Sequence, residues 1–373
     1  MTANRIQRLI HLIKGTNLSG VALNPGPTLT YLTGLHFHLM ERPTVLLVSA
    51  GGHIGLVLPA LESAKLAHTP GDLHAFTYGE DPASWPDVFK RAAQDLNLAV
   101  GEIGVEPTQL RFLELMYLQN ALPGMTFVDA SHSLAAVRIT KDQDEIAKMR
   151  QAVMIAQSAL IETLKGVRPG MTEKVVANEL IIQLMRAGSD PGLPFSPIVA
   201  FGENSANPHA VPTDRVLKPG DLLLVDWGAS CDGYLSDITR TFTCGEVDPE
   251  LIKIAGVVLS ANAAGRAAGK PGLPAGEVDR AARSVIAAAG YGDAFIHRTG
   301  HGLGLEAHEA PYIYDGNQQR LTLGMTFTVE PGIYLPGKGG VRIEDDVVVT
   351  GTGLESLTDM PREVRPLEDL MGA

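Results

Sequence analysis

In the stretch DWGASCDGYLSDITRTF, Asp226 and Asp237 stand where two strands around a turn would otherwise carry apolar residues. With the turn centred between Cys231 and Asp232, the register predicts the two aspartates opposite each other, with Cβ atoms about 5 Å apart. Adjacent carboxylates repel unless a proton or a cation lies between them. The arrangement recurs downstream, where MTFTVEPGIYL and VRIEDDVVVT flank LPGKGG, and a turn centred on Gly337 places Glu330 opposite Glu344. Pro331 must then sit at a bulge or an edge. Between the two hairpins, HRTGHGLGLEAHEAP supplies His297, His301 and His308 amid glycines that let the backbone approach a ligand or another strand. His301 is the natural metal ligand, and the spacing excludes the HExxH helix. One such acid or histidine alone reads more simply as a hydrogen-bonded structural residue. Two opposed acid pairs beside a histidine- and glycine-rich segment read as a metal site. Four carboxylates and one imidazole form a hard donor set that suits two divalent ions about 3.5–4 Å apart, with manganese, cobalt or zinc fitting best. Structural zinc would call for cysteine, and calcium loops do not use histidine. A pair of such ions generates a hydroxide nucleophile, so the chemistry expected is hydrolysis.

These residues need a scaffold, and 373 residues suggest two domains. From Met1 to Ser131, strand-like runs (VALNP, TVLLVSA, IGLVLPA, IGVEP, MTFVDA) alternate with helical segments, which predicts an α/β domain with a partly parallel sheet. It lacks GxGxxG after its first strand, so no dinucleotide site is expected. A linker is expected over residues 132–141. Beyond it Ile146, Met149, Val153, Ala156, Leu160 and Leu164 recur at helical spacing, and a second helix runs from the cap Thr172 to Gly188. One long Ala-rich helical region is expected over about residues 249–290. Residues 142–373 therefore read as an α+β domain carrying the candidate site.

Composition narrows the function classes. A net charge of -12 argues against a nucleic-acid partner. The amphipathic N-terminus does not read as a signal peptide, the longest apolar region is broken by Gly51-Gly52-His53, and no membrane span is expected. Two cysteines, Cys231 and Cys244, build no disulfide framework, which points to a reducing, cytoplasmic setting. GRAAGKPG and LPGKGG lack phosphate-loop spacing and read as loops.

The ordered motifs DWGASCDGYLSDITRTF, HRTGHGLGLEAHE, TVEPGIY and VRIED resemble those of the pita-bread metallopeptidases, in the prolidase and aminopeptidase P branch. The resemblance spans the C-terminal half, and the N-terminal half resembles the branch's smaller creatinase-like domain. It implies a pita-bread catalytic domain with two divalent metals: Asp226 on one, Asp237 and Glu344 bridging both, His301 and Glu330 completing the other. Glu330 would also shuttle a proton, while His209 and His308 would stabilise the tetrahedral intermediate. His297 and Arg342 match positions typical of this branch and would bind substrate. Ala307 departs from the branched residue usual there, without removing a ligand. The implied substrate is a small peptide with proline in second position, an Xaa-Pro dipeptide in preference to longer peptides, and the implied assembly is a homodimer. A dipeptide's free carboxylate calls for a cation: Arg342 is one candidate, and residues near His36, His38 and Arg42 are others. The alternatives are an aminopeptidase P, a non-catalytic pita-bread binding protein or a creatinase-like hydrolase, of which the last two would have eroded ligands.

Overall fold

The computed structural model describes residues 2–68 and 72–370 and divides into two compact units, residues 1–138 and 139–373. In the first unit, six strands lie in the order Leu73–Tyr78, Ile54–Pro59, Val45–Ser49, Leu18–Leu23, Gly101–Val105, Met125–Asp129. The central two pairings of Val45–Ser49 are antiparallel and the remaining three pairings are parallel, giving the mixed sheet expected. Trp85, Val88, Phe89 and Ala92, on one face of the Trp85–Asp95 helix, bury against Val45, Leu47, Val57 and Ile103. Ser131–Arg138, which overlaps the segment expected as a linker over residues 132–141, is helical and buries Leu134 and Val137.

The second unit repeats one architectural idea. A helix pair, Gln143–Gly166 and Glu173–Arg186, precedes the aspartate hairpin; another, Pro249–Ala268 and Gly276–Ala288, precedes the histidine segment and the glutamate hairpin. Asp142 opens the first helix with a capping box to Glu145, and Thr172 caps the second through Val175 N. The expected Ala-rich helical region is two helices, parted within the GRAAGKPG stretch that reads as a loop. Lys270-Pro271-Gly272 makes the break, with Gly272 in the left-handed region that favours glycine. By length and composition the Pro249–Ala268 helix could cross a membrane, yet it packs Leu251, Ile254 and Val258 against Ile286, Ile333 and Val341 as a core helix.

Two sheets carry the candidate residues. Arg365–Pro366, Ile238–Thr243, Leu222–Trp227 and Ile198–Phe201 form one; Glu309–Ile313, Gly300–Gly302, Thr326–Val329, Asp345–Val349 and Leu354–Ser356 form the other. On Leu222–Trp227 the side chains alternate. Leu223, Val225 and Trp227 join the core with Met149, Val153 and Leu180, while Asp226 lies on the opposite face.

The aspartate hairpin corrects the expected register. Asp226 pairs with Thr239, not Asp237, because the turn is Asp232-Gly233, both at positive φ (49° and 79°), one residue later than expected. This two-residue turn matches strand twist and moves the pairing by two. The two aspartates still share a face, now as diagonal neighbours. In the glutamate hairpin Gly332 pairs with Arg342 and Val329 with Asp345, so Glu330 and Glu344 oppose each other across the break between two ladders, as the sequence predicts.

Candidate metal centre

All five expected ligands converge. Ligand atoms of Asp226, Asp237 and Glu344 lie within 4.8 Å of one another, as do those of His301, Glu330 and Glu344, and those of Asp237, His301 and His308. His301 is buried; its Nε2 is 3.4 Å from Glu330 Oε1 and 3.7 Å from Asp237 Oδ2. Its Nδ1 is 3.2 Å from Gly302 O, so Nδ1–H donates there and the Nε2 lone pair faces the carboxylates. The flanking glycines permit this placement: a Cβ on Gly300 would fall 1.9 Å from Thr328 O, and one on Gly302 would fall 2.2 Å from Ala310 O.

Such a cluster is costly when empty of cations. Burial, then Glu344 and Asp226, hold the Asp237 carboxyl well above the ordinary carboxylate range. Burial, then Glu330 and Asp226, do the same to Glu344. Glu330 is pushed up to about 7 by burial, with Arg342 opposing the rise and Asp226 adding to it. His301 is pushed down to about 3 by burial and by its neighbour His308. Among the described residues, Asp226 Oδ1 is buried with no hydrogen-bond partner, while Asp226 Oδ2 accepts from Arg342 Nη2 at 2.6 Å. An orphaned carboxylate oxygen, a freed imidazole nitrogen and mutually repelling acids fit divalent cations.

The surrounding hydrogen bonds fix these ligands. Thr239 Oγ1 donates to Glu344 Oε2 at 2.6 Å and accepts from Arg342 Nε at 3.0 Å. Arg342 Nη1 donates to Tyr334 Oη (2.9 Å) and to Pro208 O (3.3 Å). His297 Nδ1–H donates to Arg298 O (2.7 Å), so its Nε2 accepts from the Tyr334 hydroxyl (2.7 Å). Burial and then Arg342 lower His297 to about 4, which keeps it neutral. Arg342, expected at the substrate, is buried, with donors committed to Asp226, Thr239, Tyr334 and Pro208; it presents no free charge. On the other side, Asp346 Oδ2 accepts from Asp237 N at 3.1 Å.

A cavity of about 1150 Å³ opens above the cluster, lined by Phe195, Ile198, Val211 and Leu305 and by His209, Arg298 and His308. His209 and His308 are exposed on its wall. Burial, followed by the charge of Arg298, lowers His308. His209 is carried by a loop that Glu173 gathers: this buried carboxylate accepts from Phe201 N, Asn204 Nδ2, Thr213 N and Thr213 Oγ1 at 2.6–3.1 Å. Arg298 stacks on Tyr312, 4.4 Å to the ring centroid, and among the described residues its guanidinium pairs with no carboxylate. Sequence reasoning missed Arg298, Thr239 and Tyr334, although Arg298 lies inside the quoted HRTGH motif. His36 and His38 are exposed in the first unit, where Arg42 is held by Glu80 at 2.7 Å.

Residues 147–351 match the profile of metallopeptidase family M24, and residues 5–140 match the creatinase/prolidase N-terminal domain. The chain is 36% identical over 351 residues to an Xaa-Pro dipeptidase of Lactobacillus helveticus, covering 92% of this chain and 94% of that protein. Among solved structures it resembles a dipeptidase of Pyrococcus horikoshii OT3 (TM-score 0.92, 40% identity, 97% and 99% of the two chains). It also resembles an X-Pro aminopeptidase of Thermotoga maritima MSB8 (TM-score 0.83, 32% identity, 96% and 99%).

Proposed function

The chain belongs to metallopeptidase family M24, and on that premise we propose that it hydrolyses the bond between an N-terminal residue and proline, with the Xaa-Pro dipeptide preferred. The observation that carries the reading is the set of Asp226, Asp237, His301 and Glu344, buried, with the half-buried Glu330, at the base of a cavity. Two divalent cations held by those five residues, with manganese favoured over cobalt or zinc, would supply the positive charge that activates water and polarises the carbonyl.

The protein's own groups do the rest. The substrate's free amine docks near Asp226. Glu330 takes a proton from the attacking water and returns it to the proline nitrogen as the bond breaks. His209 and His308, on the cavity wall, hydrogen-bond the carbonyl oxygen as it becomes an oxyanion. His297 and Arg342 act at the substrate side through Tyr334, which links them. The scissile nitrogen belongs to proline's ring and carries no hydrogen, so a site that works on the carbonyl suits this bond. Arg298 is the cation for the proline carboxylate, a role that Arg342 in its buried pairing is not free to take.

The cavity volume supports a second reading. At about 1150 Å³ it exceeds the roughly 300–1,000 Å³ of a typical small-molecule pocket, which leaves room for the longer peptides of an aminopeptidase P. Manganese-loaded protein offered an Xaa-Pro dipeptide and the matching tripeptide separates the two. Faster cleavage of the dipeptide is expected; preference for the tripeptide selects the second reading, and no cleavage of either by metal-loaded protein refutes both. A cytoplasmic homodimer completes the proposal; Cys231 and Cys244 are free thiols, which suits a reducing compartment, and sedimentation tests the assembly.

A further inference from the structure

The Pro249–Ala268 helix buries its Leu251, Ile254, Val258 and Ala261 in an apolar core, yet at the same depth it carries Asn262, with no exposed surface. A buried amide costs free energy unless its hydrogen bonds are made. Those of Asn262 are specific: Nδ2 donates to Val329 O at 2.9 Å and to Ile343 O at 3.3 Å, and Oδ1 accepts from Arg266 Nε at 2.8 Å, which fixes the orientation of the amide. Val329 and Ile343 are the residues immediately before Glu330 and Glu344.

The two carbonyls lie where the strand pairing is interrupted. Ile343 N donates to Pro331 O at 3.4 Å, the half of an antiparallel pair that proline can accept. The return bond, from residue 331 to Ile343 O, is impossible because Pro331 has no N–H. Glu330 N points away as well, donating to Thr299 O at 2.8 Å. The ladder is therefore open at the step that bears the opposed glutamates, and the Asn262 amide closes it from the helix behind.

We propose that Asn262 is a positioning residue for the metal centre, holding Glu330 and Glu344 at their mutual spacing by supplying the donor that Pro331 withholds. The proposal rests on the reading of those two glutamates as cation ligands. Its consequence is that cation affinity depends on Asn262, although Asn262 touches neither cation nor substrate.

The test is titration calorimetry of the full-length chain with Mn²⁺. Asn262→Leu, which keeps the branched shape and removes both donors, is expected to weaken Mn²⁺ binding about tenfold or more, as loss of a ligand-orienting partner does. Adding Pro331→Ala to that variant restores an N–H at residue 331 and is expected to recover at least about threefold of the loss, since a replaced hydrogen bond is worth about 1 kcal/mol. Wild-type affinity in Asn262→Leu overturns the proposal. So does a loss that Pro331→Ala leaves unrecovered, because a mere packing role would not respond to a backbone donor. If the leucine variant does not fold, Asn262→Ser keeps one donor and is expected to lose less affinity, with the same recovery; wild-type affinity there overturns the proposal equally. A wild-type chain that binds no Mn²⁺ instead refutes the ligand reading itself.

Discussion

Replacing Arg298 by alanine separates the dipeptidase reading from its rival. Arg298 is half-buried on the cavity wall, stacked on Tyr312 and paired with no carboxylate among the described residues. A charge-assisted hydrogen bond contributes about 1.5–3 kcal/mol, and partial exposure to solvent argues for the lower end. About 1.5 kcal/mol corresponds to roughly a tenfold fall in kcat/KM for an Xaa-Pro dipeptide. A tripeptide has no carboxylate on its proline, so its kcat/KM should change by less than about twofold on the same reasoning. Arg298→Lys keeps the charge without the planar fork and should retain part of the dipeptide activity. The assay is steady-state hydrolysis of an Xaa-Pro dipeptide and its C-terminally amidated form, with metal content measured alongside. An equal loss on both substrates, or none on the dipeptide, refutes the assignment of Arg298.

Further outcomes follow from the same geometry. Glu330→Gln removes a cation ligand and the proton shuttle together, so kcat should fall at least about a hundredfold with the fold intact by circular dichroism; near wild-type turnover contradicts both roles. Glu173→Gln places an amide N–H₂ against donors from Phe201, Asn204 and Thr213, and should lower kcat through a displaced His209 while Mn²⁺ stoichiometry holds. If His209→Ala removes activity and Glu173→Gln does not, that loop is held by other contacts. In the metal-free chain the carboxyls of Asp237, Glu330 and Glu344 keep protons that the unfolded chain would release. For Glu330 that stabilisation is present below about pH 4.5 and is lost as pH rises through about 7; for Asp237 and Glu344 it is likewise lost as pH rises above the ordinary carboxylate range, and metal uptake expels those protons. Calorimetry in two buffers of different ionisation enthalpy should show proton release near neutrality; its absence contradicts the raised carboxyls.

What the sequence made legible depended on how local the determinant was. LPGKGG sets the Glu330–Glu344 register because its turn is short and the ladders on either side of Pro331 keep one register. The expected aspartate register differs from the observed one by two residues because Asp232-Gly233, a turn signal in its own right, centres the turn one residue beyond the Cys231–Asp232 midpoint. GRAAGKPG is legible as a loop, yet its first four residues, Gly265 to Ala268, complete the preceding alanine-rich helix and only the stretch around Lys270-Pro271-Gly272 breaks it. Long-range partnerships were the least visible. Nothing near Arg342 in the chain shows that Asp226, Tyr334 and Pro208 will occupy its guanidinium, and Asn262 reads as one polar residue in an apolar helix. The candidate metal ligands stand out because the chemistry demands residue types that are rare among strand positions. The groups that orient them are common residues whose role exists only after folding.

The most direct test is stepwise return of Mn²⁺ to chelated protein, with bound metal by mass spectrometry and Xaa-Pro hydrolysis read on the same samples. Turnover should be absent in the metal-free chain, rise with occupancy to about two ions per chain, and stay absent in Glu344→Gln at every occupancy. Full hydrolysis by metal-free wild-type protein, or by Glu344→Gln, would contradict a metal-dependent peptidase centred on these five residues.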